Sequence, residues 1–399
     1  MWKNLSSFIR LRPVFAVSVL LACTSLLFGI WVGAIPEIKV RLGLSDGTLG
    51  LSLLLSPLGA LTAVALSGRL FSRIAVGTWM VTGYLSLALI MIMLVNAPNL
   101  YVFWISLYLF GINGFFNGVS VNTTINAFEK KYNRKLMSTS HALYSIGGGI
   151  STGLVPLFVA GGLGPTWQIL IMATFVASIV FFNRKHLLSH DEIIHSRSGL
   201  KFPSLSVLSI SFICLVIFMS EGCVADWSAI YFREVIGAPK ELLSLGYTGF
   251  AVAMTIGRLN GDGLVTRIGS KTVVIGGASL AAAGFLLVVL SSSAVPGIIG
   301  YILVGFGCSC IVPVLFSASG NIPGVKPVDG FAMVTTGGLI GFLAGPSLIG
   351  FISEKTNLSS GLILLVFMTA LAAVIASRSK LLENKKMTGT NLEYDEPLY

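Results

Sequence analysis

Apolar residues run in long, nearly unbroken blocks separated by short polar interruptions, with none of the alternation that a half-buried strand would show. A helix that crosses a bilayer needs about 20 mostly apolar residues. Twelve blocks meet that length: 14–38, 47–67, 75–95, 100–126, 139–160 and 166–183, then 205–232, 242–266, 272–292, 296–319, 331–352 and 358–377. Several of the intervening turns carry Pro or Gly, as at Ala97-Pro98-Asn99 and Gly164-Pro165. The pattern predicts an all-α integral membrane protein of twelve transmembrane helices in two six-helix bundles. It divides the chain into an N-terminal bundle (1–183), a central polar loop (184–204), a C-terminal bundle (205–377) and a charged tail (378–399).

Composition agrees and narrows the class. The chain is 54% hydrophobic and 11% charged, against about 25% charged in a soluble domain. The net charge of +10 would suggest nucleic acid in a soluble chain. Here it follows from placement: of 26 Lys and Arg, only Lys39, Arg41, Arg233, Lys240 and Lys355 fall on the side opposite the termini. The positive-inside rule then puts both termini in the cytoplasm, with the lipid bilayer and no nucleic acid as the surroundings. The five cysteines lie in apolar blocks without metal-type spacing. The first block follows Lys3, Arg10 and Arg12, lacks a small-residue cleavage site, and is expected to be a retained helix.

The acids inside the apolar blocks carry the candidate chemistry. Helix seven contains Glu221 near its centre and Asp226 five residues on. That spacing is about 7.5 Å along the axis and about 140° around it, so the two are expected to diverge. Glu221 is expected to couple protons or contact substrate, since a carboxyl that takes up and releases a proton is what coupling requires. The alternative is a permanent pair, for example with Arg258, or a place on the lining of a water-filled cavity. Asp226 and Trp227 are expected nearer the outer side of the site, with Tyr231 as an interfacial anchor. In helix four, Asn113, Asn117, Ser120 and Thr124 share one face within about 60°. They are expected to meet either a polar substrate or a neighbouring helix. Helix one offers Trp31, with Pro36 as a helix breaker and Glu37 as a solvated charge. His141, at the start of helix five, has the titration range of a proton relay. The glycines of helices five and eleven (Gly147–Gly149, Gly337, Gly338, Gly341, Gly345) read as close packing. The run His190 to His195 lacks the register of a helical zinc motif and no P-loop is present, so neither a metal, a cofactor nor ATP is expected.

One internal echo links the halves. Gly68 to Ala75 reads Gly-Arg-Leu-Phe-Ser-Arg-Ile-Ala after helix two, and Asp262 to Gly269 reads Asp-Gly-Leu-Val-Thr-Arg-Ile-Gly after helix eight. With twelve helices, a 6+6 plan and a Gly-x-Leu-x-x-Arg loop after helix two that is echoed after helix eight with Asp262 in the place of the Gly, the chain resembles the major facilitator superfamily. That family's loop acid is replaced by Ser72 and Thr266, while the following arginines are present as Arg73 and Arg267. The resemblance makes Gly68, Arg73, Arg258 and Arg267 conformational-loop residues. His141-x-x-Tyr144-Ser145-x-Gly147 and Glu221-Gly222-x-x-x-Asp226-Trp227 are similar to the bacterial YbjJ-type permeases, a branch near the sugar permeases. It implies substrate contacts at Asn122 and Tyr144 and a sugar-like solute. The expected activity is alternating-access transport of a small polar solute by a monomer, with protons as coupling ion. Efflux of drugs or metabolites is the alternative, followed by a non-transporting sensor. An intramembrane enzyme is disfavoured because the two helix-seven acids are expected to lie too far apart in angle to form a dyad.

Overall fold

In a computed structural model of the chain, residues 11–132, 136–190, 204, 207–320, 322, 324–325 and 327–383 are described. They form twelve helical spans. The first six are α1 (Arg12–Arg41), α2 (Asp46–Ser67), α3 (Val76–Val95), α4 (Leu100–Glu129), α5 (Thr139–Ala160) and α6 (Pro165–Leu187). The second six are α7 (Leu208–Glu234), α8 (Lys240–Gly261), α9 (Ser270–Leu290), α10 (Ala294–Ser319), α11 (Gly330–Lys355) and α12 (Leu358–Arg378). Most of the central loop (191–203) and the tail from 384 lie outside the described residues, as do five of the six positions of the His190–His195 run.

The helix ends follow local chemistry. The Ser45 hydroxyl accepts from Thr48 N, and Asn357 Oδ1 accepts from Ser360 N at 2.8 Å. Glu129 Oε1 accepts from the amides of Leu136 and Met137 at 2.6 and 2.9 Å, placing an acid at the positive end of α5. Gly269 turns the chain between α8 and α9 at φ 84°, a conformation that disfavours side chains. Two spans are interrupted where the apolar pattern gave no hint. α2 is broken at Leu54 into Asp46–Leu53 and Leu55–Phe71, and α10 at Cys310 into Ala294–Ser309 and Ile311–Ser319. Pro36, by contrast, does not break α1, which runs on to Arg41. Its carbonyl accepts from Arg233 Nη1 at 2.9 Å, so a neighbouring helix helps to satisfy the backbone around the proline.

The two sets of six pack alike. α1 lies against α5 and α6, α2 against α4, and α3 against α4 and α6. The same neighbours, six helices on, are α7 with α11 and α12, α8 with α10, and α9 with α10 and α12. Between the sets, the first segment of α2 meets α11 and α5 meets α8, a pair of contacts that the same shift exchanges. Large apolar side chains such as Phe182, Leu290 and Phe367 are exposed on the outside, as a lipid-facing surface requires. The helix backbones approach closely through glycine. A Cβ at Gly341 would run into the Leu215 carbonyl, and one at Gly337 would reach Ser211 O. We therefore expect Gly341→Ala to cost about 1–3 kcal/mol through overpacking, read as a lower melting temperature of the purified protein in detergent. An unchanged melting temperature would refute the close contact between α7 and α11.

Candidate functional site

α7 and α11 pack along the interface between the halves, which puts the acids of α7 beside α1, α2, α4, α5 and α8. There they border a cavity of about 210 Å³. Glu221 and Asp226 both line it, with Thr24, Phe28 and Trp31 of α1, Ser56 and Pro57 of α2, Phe110 of α4, Tyr144 of α5, Tyr247 and Phe250 of α8, and Phe342 of α11. The two acids, about 140° apart around the helix, therefore meet the same cavity, Asp226 included. The cavity follows α7 through an arc of about 140°, wide enough to receive both, with Ala225 between them.

Arg258 of α8 reaches Glu221 Oε1 at 3.5 Å, so the pairing left open by the sequence is present. The Arg258 side chain is about a third exposed, in an adjoining pocket of about 60 Å³ shared by Tyr144, Glu221, Tyr247 and Phe250. Glu221 Oε1 accepts no hydrogen bond among the described residues, so the pair is long and incompletely satisfied. Asp226 has no ion pair or hydrogen bond among the described residues. Aromatic rings form much of the wall. Phe28 stacks on Phe110 with centroids 6.3 Å apart, and meets Tyr247 edge-on at 6.5 Å. Trp31 lines the cavity and packs at 5.9 Å on Phe103. Thr24 donates to the Tyr84 hydroxyl at 3.1 Å behind this wall.

Other expected site residues lie elsewhere. Asn113 donates to Gly83 O at 2.9 Å and Ser86 Oγ at 2.8 Å on α3, and Asn117 donates to Asn113 Oδ1 at 2.7 Å. The polar face of α4 therefore meets α3 rather than the cavity. Asn122 and His141 come together at 3.1 Å, Oδ1 to Nε2, with His141 exposed toward the end of the bundle that carries the chain termini. Trp227 is fully buried and donates from Nε1 to Pro346 O at 3.0 Å, so it joins α7 to α11. Tyr231 is buried too, its hydroxyl 3.3 Å from Ser359 Oγ, and is no headgroup anchor. Arg73 is exposed just past Phe71, where the second segment of α2 ends, with Gly68 in the last turns of that segment, and Arg267 is exposed in the last turn of the helix that carries α8 on to Ile268. We expect Trp227→Phe to cost about 1 kcal/mol of stability through the lost hydrogen bond while leaving KM for solute unchanged. A raised KM with normal stability would return Trp227 to the binding site.

At the end away from the termini the halves are locked. Lys39 of α1 binds Asp46 of α2 at 2.5 Å and both carboxylate oxygens of Glu234 of α7 at 2.7 Å. Ser353 donates to Asp46, and Glu354 Oε2 accepts from Gly47 N at 2.9 Å, bringing in α11. Ser347 donates to Gly50 O at 2.8 Å, and Ser244 to Thr152 O at 3.1 Å. The sequence showed Lys39 only as an outer-loop charge; its partner Glu234 lies 195 positions away. A larger hollow of about 390 Å³ lies at this end, lined by Glu37, Arg233, Lys240 and Glu241. Its charges are mixed in sign and it lies apart from the acids of α7. Among the described residues no group of His, Cys, Asp and Glu is placed to hold a metal ion, and all five cysteines are buried and free.

A cavity between two like six-helix sets, closed at one end, is an architecture shared with known carriers, and the sequence comparison decides the family. Residues 17–324 and 205–393 match the Major Facilitator Superfamily. The chain belongs to the major facilitator superfamily. It is a multi-pass membrane transport protein, not an enzyme. Its relatives include an uncharacterised MFS-type transporter of Yersinia pestis, 35% identical over 87% of this chain and 91% of that protein. The membrane protein MosC of Rhizobium meliloti is 26% identical over 91% of this chain and 88% of its own length. Among solved superfamily structures, a variant of the nucleoside transporter NupG superposes with a TM-score of 0.72, at 12% identity, over 91% of this chain and 98% of that one. The human organic anion transporter MFSD10 superposes with a TM-score of 0.61, at 15% identity, over 92% and 99%. At such identities the superfamily fold is what these structures share with this chain.

Proposed function

We propose that this superfamily member imports a small polar solute by proton-coupled symport. It works as a monomer in a bacterial inner membrane with both termini in the cytoplasm. The observation that carries the reading is that Glu221 and Asp226 open on one cavity between the halves, with Arg258 beside Glu221. The excess of Lys and Arg on the terminal side supports the orientation, and the bacterial relatives support the membrane. In that orientation the Lys39 lock closes the outer end and the arrangement is the inward-facing one.

The proton rides on Glu221. When Glu221 is ionised, Arg258 compensates it; when it is protonated, Arg258 is released toward water. Solute held against Trp31, Tyr144 and Asp226 biases the same carboxyl, which ties the two movements together. His141, exposed and bonded to Asn122, exchanges the proton with cytoplasmic water. The test is solute uptake into proteoliposomes under an imposed pH gradient with the membrane potential clamped. Accumulation driven by an inward proton gradient and collapsed by a protonophore is the expected result. Solute expelled against that gradient would make the protein an exporter, and saturable binding without flux would make it a sensor.

A further inference from the structure

The charge of the central cavity is one-sided. Glu221 and Asp226 line it, and none of its lining residues is Lys, Arg or His. The nearby cation, Arg258, sits in the adjoining pocket and is engaged with Glu221. Asp226 therefore faces the cavity with no partner among the described residues. A carboxylate in so apolar a surrounding is costly unless a cation or a proton joins it. Around it stand aromatic faces, Phe28, Trp31, Tyr247 and Phe250 among them, and ring faces attract cations. The cavity of about 210 Å³ is smaller than the ~300–1,000 Å³ of drug-sized sites, so the guest is small. We propose that the transported solute is a small organic cation whose ammonium group is held by Asp226 within this aromatic wall. The inference rests on the transport reading above and deepens it. With the Glu221–Arg258 pair neutral overall, Asp226 supplies the charge that selects the solute and Glu221 is left to carry the proton.

The experiment uses the full-length purified protein and matched pairs of probes that differ in charge at nearly constant shape. These are choline against 3,3-dimethylbutan-1-ol, benzylamine against benzyl alcohol, and glucosamine against glucose. Binding is read by thermal shift and by quenching of tryptophan fluorescence, and uptake is read in proteoliposomes. The expected result is that at least one cationic member binds, and that it does so at least tenfold more tightly than its neutral partner. Asp226→Asn should remove that preference, and Asp226→Glu should restore part of it. Equal binding of both members of every pair, binding by neutral solutes only, or no binding by any cation would overturn the proposal. So would a charge preference that survives in Asp226→Asn. Should a neutral solute accumulate under the pH gradient, the transport reading stands and the cation inference falls. Should a cation bind but never move, the transport reading falls and the assignment to Asp226 stands.

Discussion

Replacing Glu221 with Gln should abolish accumulation of solute driven by a pH gradient while leaving exchange intact. One proton moved per solute through a gradient of one pH unit supplies about 1.36 kcal/mol, enough for about tenfold accumulation. The amide has the shape of the protonated acid and cannot release a proton, so accumulation should fall from about tenfold to none. Counterflow, in which labelled solute outside exchanges with unlabelled solute inside, needs no net proton movement and should continue. The variant leaves Arg258 without its partner at 3.5 Å, yet that side chain is about a third exposed and stays solvated, so the fold should survive. Glu221→Asp retains a titratable group and should keep partial accumulation. Full accumulation by Glu221→Gln would take the proton away from this residue and leave Asp226, on the same cavity, as the group to test.

How far the site could be read in advance depends on the range of each interaction. The twelve spans were legible because hydrophobic length is a local property, and Glu221 stood out because an acid in hydrocarbon needs a reason. The breaks at Leu54 and Cys310 escape a reading of hydrophobic length, but each falls three residues before a proline, Pro57 and Pro313, whose ring and missing N–H oppose a continuous helix. Helical periodicity gave the face of Asn113 and Asn117 correctly as inward, but it does not say which neighbour lies inward: the Asn113 amide donates to α3 and the Asn117 amide to Asn113 itself. Trp227 failed for the same reason: the indole NH found Pro346 O, 119 positions away. Asp226 was legible as a second acid of α7, but that one cavity spans an arc of the helix broad enough to take both acids shows only in the assembled bundle. The aromatic wall of Phe28, Tyr247 and Phe250 carried no signal at all, because single aromatics in apolar helices look alike until the helices are assembled.

The Lys39 lock should prove a conformational determinant. Lys39 is nearly buried, at 9% exposure against 16% for Asp46, and it bridges two acids, one from each half of the chain. Lys39→Met would leave Asp46 and Glu234 facing each other with no cation between them. Removing one partner from a buried pair costs about 3–5 kcal/mol. Glu234 is about a third exposed, so a smaller penalty of about 2–3 kcal/mol applies. It falls only on the state in which this end is closed, because opening lets the two acids separate into water. The equilibrium between closed and open should therefore shift by about 30- to 160-fold. The readout is a cysteine at the cavity residue Ser56, in a background without the five native cysteines. It is labelled from the outer face of right-side-out vesicles by a membrane-impermeant maleimide. Labelling should be slow with Lys39 present and fast in Lys39→Met. Adding Asp46→Asn removes the like-charge repulsion and should slow it again, a non-additive result that a merely destabilised protein would not give. If the single variant labels at the rate of the parent, Lys39 does not hold the outer end closed, and the work falls to the contacts of Gly47 and Gly50 with α11.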